Sequence, residues 1–231
     1  MAGLVLVVGA AWFGKAATPA EPLPLFTSLP IYWGETPDIA TALKGEEQPH
    51  WARRAIEARR PLRPIDTLDA ATLGGRRDLL MIQPRPLSPA ENVALDEWVV
   101  GGGHLLLFAD PALTAESSFA LGDRRRPQDT VLLSPILGRW GLRLELDAGQ
   151  GAGERVVGLN GASIPVNLPG RFAAVSGGRA DASCRIGQEA LLAMCRVGKG
   201  RLVAIADAAL FEPAQDSART AALAALLGRA F

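Results

Sequence analysis

Histidine and cysteine are scarce in this chain, and their scarcity limits the chemistry that it can carry. There are two residues of each kind. Cys184 and Cys195 lack the short paired spacing of a zinc site, and the two histidines do not complete one. We therefore expect no metal site, and no motif in the sequence indicates a cofactor.

An excess of charge of either sign is also missing. Lys+Arg and Asp+Glu number 24 each, so the formal net charge is zero. A nucleic-acid-binding protein needs a basic face that displaces phosphate counterions, and the composition therefore argues against nucleic acid as a partner. Apolar residues, in contrast, make up 48% of the 231 residues. That share is enough for the core of one α/β domain, with or without an added β-rich subdomain.

An uncharged apolar run, Leu4–Phe13, lies near the start of the chain. It is shorter than the roughly 20 residues of a membrane-spanning helix, but it matches the about 7–15 residues of a signal-peptide core. No basic segment precedes it, and Lys15 interrupts the small residues of a cleavage site. We interpret residues 1–24 as a signal or transmembrane anchor with a proline-rich tether, which predicts a periplasmic or inner-membrane-anchored protein. The alternative is a buried first strand of a cytoplasmic fold.

The clearest structural signal lies in the middle of the chain. Asp78–Pro84 and His104–Ala109 are short apolar runs, which are typical of strands buried on both faces. Between them, Ser88–Glu91 predicts a capped helix start with a proline in the first turn, and Gly101–Gly103 predicts the helix end. The pattern is a β-α-β unit, and we expect its two strands to be parallel.

Weaker signals extend this unit to an α/β domain over residues 25–231. Glycines and short β-like segments predict a β-rich insertion at about residues 147–185. Ala190–Val197 and Arg201–Ala206 predict a hairpin around a Gly-Lys-Gly turn. Further helices are expected at residues 39–43, 49–60, 130–140 and 214–228.

Two segments resemble a known family. Residues 84–111, PRPLSPAENVALDEWVVGGGHLLLFADP, and residues 198–207, GKGRLVAIAD, are similar to the class I glutamine-amidotransferase-like domain of auxiliary proteins of ABC-type transport systems, including gliding-motility auxiliary proteins. The segments SLPIYWGE, GDRRRP and LSPILGRWGL resemble uncharacterised DUF4350-like proteins of sphingomonad-type alphaproteobacteria. The resemblance implies a flavodoxin-like parallel sheet flanked by helices. It also implies a membrane-associated protein partner, such as a transporter's permease–ATPase complex, although fold alone does not define function.

The sequence lacks the main catalytic signature of that fold. True amidotransferases place a nucleophilic cysteine on a tight strand-to-helix turn, with a histidine and an acid nearby, and this sequence has no Gly-x-Cys-x-Gly pattern. We therefore expect a non-catalytic binding or scaffold protein of the cell envelope. The alternative is a divergent hydrolase or amidotransferase-like enzyme that uses Asp110 or Cys195. Gly101–Gly103 follow a helix instead of preceding one, which argues against a phosphate-binding loop.

Polar residues after the predicted strands are the candidate site. Asp110, Asp207 and Glu212 follow apolar runs, and ligands of open parallel sheets bind at the carboxyl ends of the strands. We predict that these carboxylates lie on a ligand or partner surface. The alternative for Asp110 is a cap that accepts backbone N–H groups of the next turn. Arg124 and Arg125 belong either to a partner or lipid-headgroup contact or to a solvated loop.

The cysteines leave three alternatives open. Cys184 and Cys195 either form a disulfide across a hairpin, which an oxidising periplasm favours, or stay unpaired in the core. Catalysis by Cys195 is the least favoured, because a thiol buried in an apolar strand ionises poorly.

The remaining aromatic and histidine residues have weaker functional signals. Tyr32, Trp33 and Trp51 either line a partner groove or pack in the core. His104 is expected at a strand edge, and His50 is expected to be exposed at the start of a helix.

Overall fold

The computed structural model describes residues 20–35, 49–159, 161–187, 189–212 and 216–231. The apolar run Leu4–Phe13 and the helix predicted at residues 39–43 lie outside these ranges. The described residues form eleven strands and five α-helices. The strands are β1 Leu23–Thr27, β2 Leu62–Pro64, β3 Asp78–Ile82, β4 His104–Phe108, β5 Leu142–Leu146, β6 Arg155–Leu159, β7 Ala162–Val166, β8 Gly170–Ala174, β9 Ala182–Gly187, β10 Leu192–Val197 and β11 Gly200–Ile205. The helices are α1 Trp51–Glu57, α2 Ala70–Leu73, α3 Pro89–Gly101, α4 Ser134–Arg139 and α5 Ser217–Ala230, with a 3₁₀ turn at Ala209–Phe211.

Seven strands form a mostly parallel central sheet in the order β2-β1-β3-β4-β11-β10-β9. β1, β2, β3, β4 and β11 run parallel, while β10 is antiparallel to both of its neighbours. All five residues of β4 are buried. Since alternate side chains point to opposite faces of a sheet, both faces are covered at this strand. The expected α/β class with a parallel sheet flanked by helices is therefore confirmed.

The predicted β-α-β unit is present with the expected caps. The Ser88 hydroxyl accepts from the Glu91 N–H at 3.2 Å, and a Glu91 carboxylate oxygen accepts from the Ser88 N–H at 2.9 Å. Pro89 occupies the first turn, and Gly102 ends the helix with a φ of 125°. β3 and β4 then pair in parallel. A capping box and a glycine end thus fix the crossover that sets the centre of the sheet.

The β10–β11 hairpin packs closely against the end of α3. A Cβ placed on Gly200 would lie 2.0 Å from the Val99 carbonyl oxygen. Glycine is therefore required at the start of β11. The Lys199 N–H donates to Val100 O at 3.0 Å, which ties the turn to the helix end. The predicted Gly-Lys-Gly turn is present and acts as a packing contact.

Two small antiparallel sheets lie outside the central sheet. β5 pairs with β8, and β6 pairs with β7. β9 belongs to the edge of the central sheet. Residues 147–185, which we predicted to be one insertion, thus contribute strands to all three sheets.

The prediction of a transmembrane segment is wrong on the structure. Within the described ranges, no helix is both long and apolar enough to cross a bilayer. The two longest helices, α3 and α5, have 13 and 14 residues. A spanning helix needs about 20.

Candidate functional site

The strand order creates a crevice at the carboxyl ends of β1 and β3. β2 lies on one side of β1, and the chain then crosses to β3 on the other side. The loops after β1 and β3 therefore leave the sheet in opposite directions. Such a switch point is where open α/β sheets bind ligands.

A cavity of about 460 Å³ lies at this switch point. Its walls come from the loops that follow β1, β2, β3 and β4. We call it the arginine pocket, and its chemically distinctive lining residues are Tyr32, Trp33, Glu35, Arg85, Phe119, Arg124, Arg125 and Arg126.

Two of the arginines are held by fixed acidic partners. Arg85 makes a bidentate pair with Glu91, at 2.7 and 2.9 Å, and this pairing lowers the pKa of Glu91 to about 2. Arg125 pairs with Asp123 at 2.7 Å and lies over the Phe119 ring, 4.2 Å from its centroid. These two guanidinium groups are already paired, so they mainly form the walls of the arginine pocket.

The other two arginines retain unused hydrogen-bonding capacity. Arg126 donates to Phe119 O at 3.0 Å and pairs with Asp129 at 3.3 Å, but its buried Nε has no partner. Arg124 is exposed and makes no hydrogen bond or ion pair with any residue in the described ranges. Arg124 is therefore the charge in the pocket that is available to a ligand.

The opposite charge is supplied by Glu35. One of its carboxylate oxygens accepts from the N–H and hydroxyl of Ser118, at 2.7 and 2.9 Å. The other oxygen, Oε1, is buried, and no donor in the described ranges reaches it with good hydrogen-bond geometry. Burial raises the pKa of Glu35, but hydrogen bonds from Ser117 and Ser118 outweigh that effect and leave the pKa below its ordinary value. Glu35 thus remains an acceptor at neutral pH.

Aromatic side chains form the rim of the arginine pocket. Tyr32 and Trp33 make an edge-to-face pair with centroids 4.8 Å apart, and the Arg53 guanidinium lies 4.0 Å from the Tyr32 centroid. Trp33 is 73% exposed and Leu121, in the β4–α4 loop, is 82% exposed. Large apolar side chains with such exposure are typical of interaction surfaces when they cluster.

Two of the three carboxylates predicted to bind a ligand are closed to solvent. Asp110 and Asp207 are 0% and 2% exposed. Asp110 accepts from the N–H groups of Ala112 and Ala208, at 2.8 and 3.0 Å. The structure therefore places Asp110 as a cap of its own turn that also holds the loop after β11, and Asp110 is not among the residues that line the arginine pocket.

Asp207 holds a second set of backbone groups. It accepts from the N–H groups of Ala209 at 2.7 Å and Asn167 at 3.0 Å. Burial, reinforced by the nearby Asp110, raises the pKa of Asp207 to about 8. Burial also raises the pKa of Asp110 to about 6, against the effect of its N–H bonds. Glu212 lies close to both, and its Oε1 accepts from the Thr114 hydroxyl at 2.5 Å.

A buried glutamine that the sequence analysis missed joins the two regions. Gln83 follows β3 with a φ of 42° and is fully buried. Its side chain accepts from Asp110 N at 2.9 Å and donates to Asp110 O and Gln128 O, at 3.0 and 2.8 Å. Gln128 lines the arginine pocket. The sequence did contain a signal for this role of Gln83, because a side-chain amide there lies directly between a buried strand and Pro84.

Cys184 and Cys195 are joined by a disulfide, with an S–S distance of 1.97 Å. They occupy directly opposite positions of β9 and β10. Since these are the two cysteines of the chain, the bonded form has no thiol nucleophile.

The two histidines are partly or fully buried. His50 caps α1, and its Nε2 lies 3.1 Å from Phe211 O, which differs from the exposed position that we expected. Burial lowers the pKa of His50. His104 begins the central strand β4 beside Asp78 and is buried. Among the described residues, no group of three or more His, Cys, Asp or Glu side chains has a metal-binding arrangement.

Fold and pocket together define a class: an α/β domain with a mostly parallel sheet and a charged cavity at its switch point. No family model matches the sequence, and no curated protein matches it. Among solved structures, the chain is similar to the β-galactosidase from Rahnella sp. R3, with a TM-score of 0.50, 13% identity, and coverage of 91% of this chain and 31% of that chain.

Two further solved structures give lower scores. One is a ThuA-like protein from Bacteroides uniformis, with a TM-score of 0.48, 11% identity, and 96% and 94% coverage of the two chains. The other is the exo-β-1,4-mannosidase Op5Man5 from Opitutaceae bacterium strain TAV5, with a TM-score of 0.46, 13% identity, and 91% and 34% coverage. The chain spans about a third of the length of these glycosidases. Likeness at this level concerns the fold alone.

Proposed function

We propose that this protein is a non-catalytic binding domain of the cell envelope, built on the flavodoxin-like, class I glutamine-amidotransferase-like fold, and that its ligand occupies the arginine pocket. The observation that carries the proposal is the position of Arg124, a cation with no partner among the described residues, in a cavity at the switch point of a parallel sheet. Ligand sites of this fold class lie at that position.

The lining of the pocket indicates the chemistry of the ligand. Arg124 suits a carboxylate or phosphate group, and the buried Glu35 Oε1 needs a hydrogen-bond donor. Tyr32 and Trp33 offer an apolar face beside these charges. The ligand is therefore a small molecule or peptide end that carries an anionic group, a donor and an apolar surface. An anion without a donor, such as benzoate, would leave Glu35 Oε1 without a hydrogen bond and would be repelled by the Glu35 charge.

Two observations support a binding role over catalysis. Both cysteines are bonded to each other, so neither is a thiolate nucleophile. Asp110 and Asp207 are buried, and each of their oxygens accepts a backbone N–H group. The alternative, a divergent hydrolase, requires one of these groups to reach a substrate.

The disulfide also supports the envelope proposal, because disulfides persist in oxidising compartments and are rare in the cytosol. The proposed partner is a membrane-associated protein complex, such as the permease and ATPase of an ABC-type transporter. Co-purification of those subunits with the tagged full-length chain from its native host would support this partner. Recovery of the protein exclusively in the cytosolic fraction would contradict the location.

The binding proposal is tested by calorimetric titration with inorganic phosphate, benzoate, glucuronate and phenylalanine. We expect glucuronate or phenylalanine, which combine an anion with donors, to bind more tightly than benzoate, which has no donor. Arg124→Ala should weaken that binding about tenfold or more, because a charge-assisted hydrogen bond contributes about 1.5–3 kcal/mol.

Arg143→Ala is the matched control, because Arg143 is exposed and pairs with Glu145 outside the pocket. Binding that Arg124→Ala and Arg143→Ala reduce equally, or binding of none of the four probes, would contradict the pocket assignment. Turnover of a probe by the wild type that Asp110→Asn abolishes would favour the enzyme.

A further inference from the structure

A second charged surface lies at the other end of the sheet, where the parallel strands begin. A shallow groove of about 560 Å³ is lined there by Arg76, Arg77, Trp98, Lys199 and the glycines 75 and 101–103. We call it the amino-edge patch. Three of its lining residues are cations, and none is an acid.

The carboxylates around this edge are already matched by arginines. Glu21 lies 4.0 Å from Arg76, and Asp78 pairs with Arg60 at 2.5 Å. Asp181, next to the β10–β11 turn, pairs with Arg179 at 2.8 Å. The local acids therefore do not neutralise the remaining cations.

Four cations of this edge have no carboxylate partner in the described ranges. They are Arg59, Arg77, Arg196 and Lys199. Arg77 donates to His104 Nε2 at 3.3 Å, and Arg201 donates to Phe231 O at 3.1 Å. Burial, together with Arg201 and Arg77, lowers the pKa of His104. The pKa of this buried histidine, which contacts Arg77, thus lies below its ordinary value, and the arginines and the lysine carry the positive charge.

Backbone contacts fix these cations in one place. His104 N–H donates to Arg77 O at 2.6 Å, and Arg201 N–H donates to Gly103 O at 3.1 Å. The Trp98 ring packs over Gly103, where a Cβ would lie 2.5 Å from the ring. Its indole N–H donates to Arg76 O at 2.9 Å. The result is a shallow basic groove with a half-buried tryptophan in its wall.

We infer that the amino-edge patch docks the folded domain on an anionic membrane surface. Charge complementarity favours lipid headgroups, because unpaired Lys and Arg beside a bilayer are attracted to anionic lipids, and Trp is enriched at the headgroup level. The position of the patch relative to the N-terminal part of the sequence agrees with membrane docking. β1 begins at this edge, and the apolar run Leu4–Phe13 precedes β1 in the sequence. The arginine pocket then opens at the opposite end of the strands, away from the bilayer.

The test is flotation of the full-length protein with phosphatidylcholine vesicles, with and without phosphatidylglycerol. We expect binding that requires phosphatidylglycerol and is lost at high salt. Arg77→Glu/Lys199→Glu should weaken it by about thirtyfold or more, since each basic residue near an anionic surface contributes roughly a fivefold change in partition. Arg77→Gln/Lys199→Gln provides a milder variant, with the thermal midpoint of each variant measured alongside.

Arg143→Glu/Arg171→Glu is the matched control, because both residues lie in the β5–β8 sheet and the change in net charge is the same. Equal losses in the two charge-reversal variants would overturn the proposal. So would binding that is independent of phosphatidylglycerol, or binding of duplex DNA that depends on Arg77 and Lys199 in the absence of vesicle binding. Arg124→Ala should leave flotation unchanged, so this proposal and the ligand proposal fail separately.

Discussion

Replacing Asp207 with asparagine should change how the stability of this protein depends on pH. In the folded chain, burial and the neighbouring Asp110 raise the pKa of Asp207 from 3.8 to about 8. In the unfolded chain the carboxyl group ionises near its ordinary value. Between about pH 4 and pH 8, the folded state therefore holds a proton that the unfolded state has released.

The sign of the effect follows from this difference in bound protons. The free energy of unfolding of the wild type falls as pH rises through this window, by about 1.4 kcal/mol per pH unit for one proton. Below about pH 4, Asp207 is protonated in both states and contributes fully to the free energy of unfolding. Above about pH 8, that contribution is lost. From pH 5 to pH 8 the wild type should lose on the order of 4 kcal/mol through Asp207 alone.

Asparagine does not titrate, so the free energy of unfolding of the variant does not fall in this way as pH rises. It also cannot accept at both positions, and the N–H of either Asn167 or Ala209 loses its acceptor. An unsatisfied buried donor costs about 1–3 kcal/mol at every pH. Asp207→Asn should therefore be less stable than the wild type near pH 4, gain on it by about 4 kcal/mol from pH 5 to pH 8, and be the more stable of the two at pH 8.

Urea unfolding followed by tryptophan fluorescence at half-unit steps of pH measures this directly. Asp147→Asn, at an exposed position, is the control and should follow the wild type. A stability difference between Asp207→Asn and the wild type that stays constant from pH 5 to pH 8 would refute the reasoning. A wild type that gains stability over the variant as pH rises would refute it more strongly.

Two further predictions concern the elements that hold the sheet together. Cys184→Ser/Cys195→Ser should lower the free energy of unfolding by about 3 kcal/mol, as expected for a cross-link that closes a loop of this length; a thermal midpoint equal to that of the oxidised wild type would contradict this. Asp96→Ala removes a buried carboxylate that pairs with Arg139 and Arg179, at 2.5 and 3.0 Å, and accepts from the Trp140 indole N–H at 2.9 Å, and should destabilise by about 1–3 kcal/mol because that buried donor loses its acceptor. Glu97→Ala, one residue away and exposed, should change stability by less than about 0.5 kcal/mol.

The local elements of the central sheet could be predicted because their signals are local. Ser88, Glu91 and the glycines 101–103 define where α3 begins and ends, and those signals depend on neighbours within four residues. The buried strands on either side are recognisable from continuous apolar runs. The hairpin around Lys199 depends on a short turn signal of the same kind.

The site could be predicted less well, because it depends on packing between distant segments. Asp110 and Asp207 were placed correctly after their strands, but their burial is caused by the loop at Asn167 and the turn at Ala208. Nothing near either aspartate in the sequence reports that contact. The role of Gln83 could not be predicted for the same reason, since its partners Asp110 and Gln128 are 27 and 45 residues away in the sequence.

Lys199 and Arg77 lie at one end of the parallel strands, so the charge of this electrically neutral molecule is unevenly distributed along the strand direction. Because the formal net charge is zero, acids elsewhere in the chain balance the cations of the amino-edge patch, and we expect this patch to be the positive end of an electric dipole. A charged surface exerts a torque on such a body within about one Debye length, roughly 10 Å at 0.1 M salt. The protein would then turn into its docked orientation before first contact, and ionic strength would control the speed of arrival as well as the strength of attachment.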